Sequence, residues 1–397
     1  MSPIALAWRT TVRYRSRTLL AIVGVAVIGA LLFDMLLLSR GLLVSFSELL
    51  NAEGFDLRIV ASSGFTRVPI PDSAALADAV RQLPGVADVA AVRVESAEVV
   101  SGKSRTRVAL IGRDQARGRT WRLVRGYDVP SDATSDRCDA VVDRGFPAAG
   151  GADVGATVRV SALPGSAMVL PPIDCHIVGI ADFGFNAAGD HTVATTMRAL
   201  QHAMGETRLD NAEVILVASD SNADPAAIVR AIARIRPDVK TYSNADVVEQ
   251  FNRNGFAYFR QISVVLSTLT TVFAFLLVAT LLTVSVNQRL GEIAALRALG
   301  IARRRIAAML FWESMLLVGT GALAAVPLGA ALAVGFDKLL RQMPGLPESL
   351  HFFVFEPRAL FVHLTVFGIT AIASAAYPVW LAARLPIAQT LRREVVG

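Results

Sequence analysis

The sequence predicts an α-helical integral membrane protein with four transmembrane helices and a large α+β domain inserted between the first and second. Three observations predict it. Hydrophobic residues make up 53% of the 397 positions while charged residues reach only 18%, against roughly 25% in soluble domains. The apolar residues gather in four blocks, each near the 20 or so residues needed to cross a hydrocarbon core about 30 Å thick. Between the first block and the second lies a long stretch of ordinary soluble composition, which holds most of the aspartates and prolines.

The expected spans are residues 19–41, 261–286, 307–336 and 359–383. The first follows a basic lead, yet its apolar run exceeds the 7 to 15 residues of a signal peptide and no small-residue cleavage site follows, so it is expected to stay as an anchor. Pro327 and Pro378 fall inside the third and fourth spans, where a missing backbone donor usually bends a helix. Lys and Arg in the short flanks set the orientation. Twelve arginines, among them Arg9, Arg13, Arg289, Arg303 and Arg393, flank one side, while the loop between the third and fourth spans holds only Lys338, Arg341 and, at its end, Arg358. That asymmetry puts residues 1–18, 287–306 and 384–397 in the cytoplasm, and residues 42–260 and 337–358 outside.

A net charge of +6 and a pI near 9.8 are not read as nucleic-acid binding, because the arginines flank apolar blocks and do not form one soluble basic face. Asp34 lies within the first span, about 22 Å along it. It either reaches the outer interface or contacts a polar substrate group or a partner helix.

The outside domain reads as two lobes of mixed helix and strand. Asp72 or Ser73 can cap a helix with the body AALADAVRQL, which Pro84 and Gly85 end. Strands are expected at Val86–Val100, Thr106–Gly112, Ala156–Ala162, Cys175–Asp182, Ala212–Ser219 and around Val239–Tyr242, with a second helix from Pro225 after Asp224. Cys138 and Cys175 would both face an oxidising compartment, which allows a disulfide. The chain-entropy argument values such a bridge at roughly 3 to 4 kcal/mol, and two free buried thiols are the alternative. Ser161, Asp174 and His176 carry the residue types of a hydrolytic triad without a GxSxG elbow. His176 and His191 lack a metal-ligand pattern. GxxxxGK[ST] does not occur, so ATP hydrolysis is assigned to another chain.

Between the second and third spans runs NQRLGEIAALRALGIARRRI, residues 287–306. Leu290, Ile293, Ala294 and Leu296 form an apolar stripe, with Arg289, Glu292 and Arg297 polar. A short amphipathic helix follows from that pattern, lying on lipid headgroups or on a protein partner.

RLGEIAALRALGIARRRI resembles the "REIA-LRALG-" signature of FtsX-like permeases, the MacB and LolC type of ABC transporter membrane subunit. The amino-terminal LAWRTTVRYRSRTLLAIVGVAVIGALL and the closing YPVWLAARLPIAQTLRRE are similar to that family's first span and last motif. LPGVADVAAV and VVDRGFPAAGGADVGATVRV are similar to elements of its periplasmic domain. The pattern is departed from at Asn287, at Leu385-Pro386 and at Asp34.

The resemblance implies a MacB-type periplasmic domain at 42–260 and a bacterial inner-membrane location. It implies a second permease subunit, identical or related, and two copies of a cytoplasmic ABC ATPase that uses ATP and Mg. It allows a periplasmic adaptor, and no cofactor is expected on this chain. The ATPase contact maps onto Glu292, Ile293, Leu296, Arg297, Leu299 and Gly300, with Gly300 ending the helix. The implied function is mechanotransmission from the ATPase to the periplasmic domain, exporting or extracting a lipid, lipoprotein, peptide or drug. The alternative is a transducer that controls a periplasmic partner without moving cargo.

Overall fold

The structure is a computed structural model that describes residues 13, 15–61, 68–102, 104–114, 120–130, 137–150, 152–163, 170–206, 210–255, 257–288, 290–343, 347 and 349–384. The chain forms two compact units. One contains Met1–Leu42, Phe256–Leu339 and His351–Gly397, and the other Leu43–Gly255 and Leu340–Leu350.

Helix α1, Arg15–Ala52, runs well past the expected end of the first span. Its last turns are amphipathic: Phe46 and Leu50 are buried while Glu48 is exposed. These turns belong to the α+β unit.

In that unit strand β1 (Leu57–Ala61) is followed by β2 (Ile70–Pro71), helix α2 (Ser73–Arg81), and the long strand β3 (Val86–Ser101). Next come β4 (Ser104–Arg113), β5 (Arg122–Gly126), β6 (Cys138–Asp143), β7 (Thr157–Ala162), β8 (Ile173–Asp182) and β9 (Thr192–Thr196). Helix α3 (Met197–Ala203), β10 (Asn211–Ala212), β11 (Val214–Ser219), helix α4 (Pro225–Ile235), β12 (Val239–Ser243) and helix α5 (Asn244–Gln250) complete it. A π-helical turn, Phe251–Gly255, follows directly.

The two expected lobes share one sheet. Val86–Val92 of β3 pair with β11, which continues to β1 and β12. The rest of β3 pairs with β4 on one edge and β7 on the other. β4, β9, β6, β8 and β7 pair in succession and return to β3, so six strands close into a barrel. Alternation along β3 supplies three cores. Val89 and Ala91 pack under α2 and α4 with Ile215 and Ile232. Ala90 and Val92 face Phe55 and Leu216 on the opposite side. Ala97 and Val99 point into the barrel with Val108, Leu110, Ile177 and Leu200.

Cys138 and Cys175 are register partners on β6 and β8, with Cα atoms 4.5 Å apart, and are joined by a disulfide. The cap of α2 differs from expectation. Asp72 takes a left-handed conformation (φ 53°) and its side chain caps nothing. The carboxylate of Asp210 accepts from the backbone N–H of Ala74 at 2.9 Å and from the Ser73 hydroxyl at 2.6 Å.

The helical unit contains the first part of α1 with α6 (Ala257–Gln288), α7 (Leu290–Ala298), α8 (Arg303–Leu340) and α9 (Pro357–Arg384). By length and composition α1, α6, α8 and α9 could each cross a membrane. Backbone satisfaction within a helix is what makes such segments viable in lipid. α8 continues as a helix through Pro327. Glycines set the spacing of α1 and α8: a Cβ on Gly29 would lie 2.7 Å from the Cβ of Ala325, and one on Gly321 would lie 2.7 Å from the Cβ of Val25. Close backbone approach through small residues is the usual packing solution between membrane helices. The expected loop 337–358 is split, since Leu340–Leu350 belongs with the α+β unit. The basic lead up to residue 12, Arg289 and the tail from residue 385 lie outside the described residues.

Candidate functional site

The short helix α7 sits between α6 and α8 in the chain, and two residues of the stripe that predicted it, Ile293 and Ala294, are used internally. Ile293 is 3% exposed and packs with Val286 of α6 and with Ile306 and Leu310 of α8, and Ala294 is also buried. This corrects Ile293 as a surface contact residue: its side chain fastens the helix to its neighbours. Gly300 has φ of 86°, the left-handed region that a side chain disfavours. The N–H of Leu299 still bonds the carbonyl of Ala295. Gly300 therefore reverses the chain just beyond the helix. Glu292 and Leu299 point outward, and Leu299 is 79% exposed. A largely exposed leucine just past the end of a helix held from behind, with an exposed carboxylate on that helix, is a chemically suitable contact for another protein. The side chains of Leu296 and Arg297 lie outside the described residues.

Asp34 is buried within the helical unit. It is 1% exposed, and neither carboxylate oxygen has a hydrogen-bond partner among the described residues. A buried carboxylate without partners is costly. Two further ionisable groups in apolar helices went unnoticed in the sequence. His363 is fully buried and shares a hydrogen bond of 3.2 Å between its Nε2 and the carbonyl of Ala322. Its ring lies between Phe33 and Phe367, with centroids 5.3 and 4.8 Å away. Glu313 is buried on α8, and its Oε1 accepts from Ser285 of α6 at 3.5 Å. The criterion that singled out Asp34, a charge within an apolar run, would have found both.

An open cleft of about 470 Å³ lies between α1 and α6, lined by Ile28, Leu31, Phe273, Leu276, Thr270 and Thr280 among others. The Thr270 hydroxyl donates to the carbonyl of Leu266 in its own helix, which leaves a mostly apolar wall.

In the α+β unit no hydrogen bond joins the triad residue types among the described residues. Ser161 pairs with Glu98, Asp174 with Arg159 and His176 with Thr157 in the ladders. His191 lies 3.2 Å from Asp143, whose carboxylate also accepts from the backbone of Gly145 and Thr192. That network pins a turn beside the barrel.

At the base of β1 a second network joins α1 to α5. The Arg58 guanidinium donates to Asn244 and, at 3.0 Å, to Glu53, while Asn244 donates to Asn51 at 2.8 Å. Burial pushes the Glu53 carboxyl above its usual range and Arg58 opposes that shift; burial likewise lowers Arg58, with Glu53 opposing.

Residues 18–235, more than half of the chain, match the MacB-like periplasmic core domain, and residues 264–387 match the FtsX-like permease C-terminal family. A stretch of 134 residues is 29% identical to an uncharacterized ABC transporter permease protein of Mycobacterium tuberculosis. It covers 34% of this chain and only 15% of that much longer relative. Among solved structures, the periplasmic region of MacB from Actinobacillus actinomycetemcomitans is similar at 12% identity with a TM-score of 0.40, covering 52% of this chain and 98% of that one. The extracellular domain of the noncanonic ABC-type transporter YknZ from Gram-positive bacteria gives 12% identity and a TM-score of 0.34, covering 47% and 98%.

Proposed function

The chain belongs to the FtsX-like permease family, with a MacB-like periplasmic core domain, and from that premise we propose that it is the membrane subunit of an ABC transporter driven by a separate ATPase chain. α1, α6, α8 and α9 are its four spans, and the arginine asymmetry puts both termini and α7 in the cytoplasm of a bacterial inner membrane. The α+β unit then stands in the periplasm.

The observation that carries this reading is α7 itself. Ile293 anchors it to both neighbouring spans, so a push on exposed Glu292 and Leu299 is delivered to α6 and α8 without being lost in a slack loop. Two ATPase copies, binding ATP and Mg, would act on two such helices in a permease dimer, homomeric or heteromeric. The apolar cleft between α1 and α6 supports an amphipathic cargo, since its volume and lining suit an acyl chain or an apolar peptide segment. Movement of the periplasmic unit is the output.

The test is affinity purification of the chain in detergent, with identification of the ATPase that accompanies it and assay of ATP hydrolysis with and without lipid or lipoprotein. Glu292→Lys with Leu299→Asp is expected to abolish ATPase association while the chain still folds. Unchanged association in that variant removes the proposed contact. An ATPase that is recovered with a periplasmic enzyme and ignores amphipathic cargo replaces transport with transduction.

A further inference from the structure

Three segments leave the α+β unit toward the long helices; two of them meet one loop of the barrel directly, and the third meets it through Phe46 of α1. The loop joins β8 to β9 and carries Phe183, Gly184, Phe185 and Ala187. From α1, Leu49 packs directly on Gly184, where an added Cβ would come within 2.7 Å of its Cδ1. Phe46, also on α1, meets the ring of Phe185 edge-on at 6.5 Å. From the π-helical turn, Phe251 lies 4.5 Å from that same Phe46 ring. From the segment that follows α8, the Ser349 hydroxyl donates to the carbonyl of Gly184, and Pro347 forms a bridge with Ala187.

Each of these segments continues covalently into an apolar helix. α1 is a single helix from Arg15 to Ala52, the π-helical turn precedes α6 by one residue, and residues 340–350 connect α8 to the approach to α9. The loop itself is bound to the barrel. Thr192, at its far end, donates from its hydroxyl to Asn186 at 2.6 Å and from its N–H to Asp143, and β8 and β9 both pair with β6.

We infer that the 183–187 loop is the node at which displacements of the spans are summed and handed to the barrel, with Phe185 and Gly184 as its positioning residues. The inference rests on the permease reading. Its physical basis is packing: close-packed contacts transmit displacement, whereas a single flexible tether does not. Gly184 leaves room for Leu49 on one side and offers its carbonyl to Ser349 on the other, so one residue receives two inputs. Phe185 is 43% exposed, so shortening it loosens an input without emptying a core.

The test uses the full chain with its ATPase in nanodiscs and reads the distance between spin labels at Thr157, on the barrel, and Lys338, on α8, before and after ATP with Mg and vanadate. In the unsubstituted protein the distance distribution should shift on trapping. In Phe185→Ser the ATP-shifted population is expected to fall by about twofold or more, with ATPase association, basal hydrolysis and the Cys138–Cys175 bridge retained. Ser349→Ala, which removes a single exposed hydrogen bond and leaves the fold intact, should show a smaller loss in the same direction. A full shift in Phe185→Ser, or in Ser349→Ala should Phe185→Ser not assemble, overturns the node. No shift in the unsubstituted protein, despite ATP turnover, refutes the permease reading, and the node falls with it.

Discussion

Replacing Gly29 by alanine tests the packing of the helical unit at a single atom. The new Cβ would lie 2.7 Å from the Cβ of Ala325 and 3.2 Å from the Cζ of Phe367. The first partner is a rigid stub beside backbone and cannot rotate away, so α1 and α8 must separate. Overpacking of this kind costs about 1–3 kcal/mol. Alanine also gains up to about 1 kcal/mol over glycine in a helix, which blurs a single measurement. Gly335→Ala supplies the reference, because an added Cβ there meets nothing within 4 Å on the same helix as Ala325. The propensity gain cancels in the comparison. Gly29→Ala should therefore be less stable than Gly335→Ala by about 1–3 kcal/mol, roughly a 5- to 150-fold difference in folding equilibrium. The assay is reversible unfolding of the purified full chain by SDS in mixed micelles. Combining Gly29→Ala with Ala325→Gly moves the methyl from one helix to the other and should recover most of the loss, giving a favourable coupling of about 1 kcal/mol or more in the double-mutant cycle. Equal stability of the two alanine variants, or strict additivity in the cycle, would refute the close approach of α1 and α8.

Other consequences follow from single contacts. Asp210→Ala should uncap α2 and destabilise the chain by about 1–2 kcal/mol, while Asp72→Ala, whose side chain caps nothing, should leave the thermal midpoint near its original value. Cys138→Ser with Cys175→Ser opens a loop with a sequence separation of 37, worth up to about 4 kcal/mol by chain entropy; thermal melts with and without reductant should converge in the variant and diverge in the parent. Asp34→Leu removes a buried carboxylate that lacks partners among the described residues and should raise the stability of the isolated chain by about 1–3 kcal/mol. If that carboxylate awaits a substrate or a partner helix, the same variant should lower cargo-stimulated ATP hydrolysis, and unchanged stimulation would leave it without that role.

The α+β content and the long apolar helices were legible because composition and periodicity are local quantities. Twenty apolar residues in a row have one cheap environment, and strict alternation has one cheap secondary structure. Helix α2, helix α4 and most of β3, β4, β7, β8 and β11 announced themselves in that way. The short strands β1, β5, β6 and β9 did not, because their pairing depends on neighbours distant in the chain. The loop helix α7 was legible as amphipathic. Its pattern could not say which way the stripe would face, and Ile293 turned out to be an internal anchor.

What the sequence by itself determined is therefore the inventory: which segments are apolar enough for a bilayer, which are soluble, and which glycine ends α7. What only the tertiary structure decided is the set of meetings between residues far apart in the chain. Among these are Asp210 capping a helix that starts at Ser73, β7 returning to β3 to close a barrel, Cys138 meeting Cys175 in register, and Leu49 and Ser349 meeting at one loop. The physical reason is that such contacts are chosen by shape and by the pairing of buried polar groups after the chain has collapsed. No window of neighbouring residues contains that information.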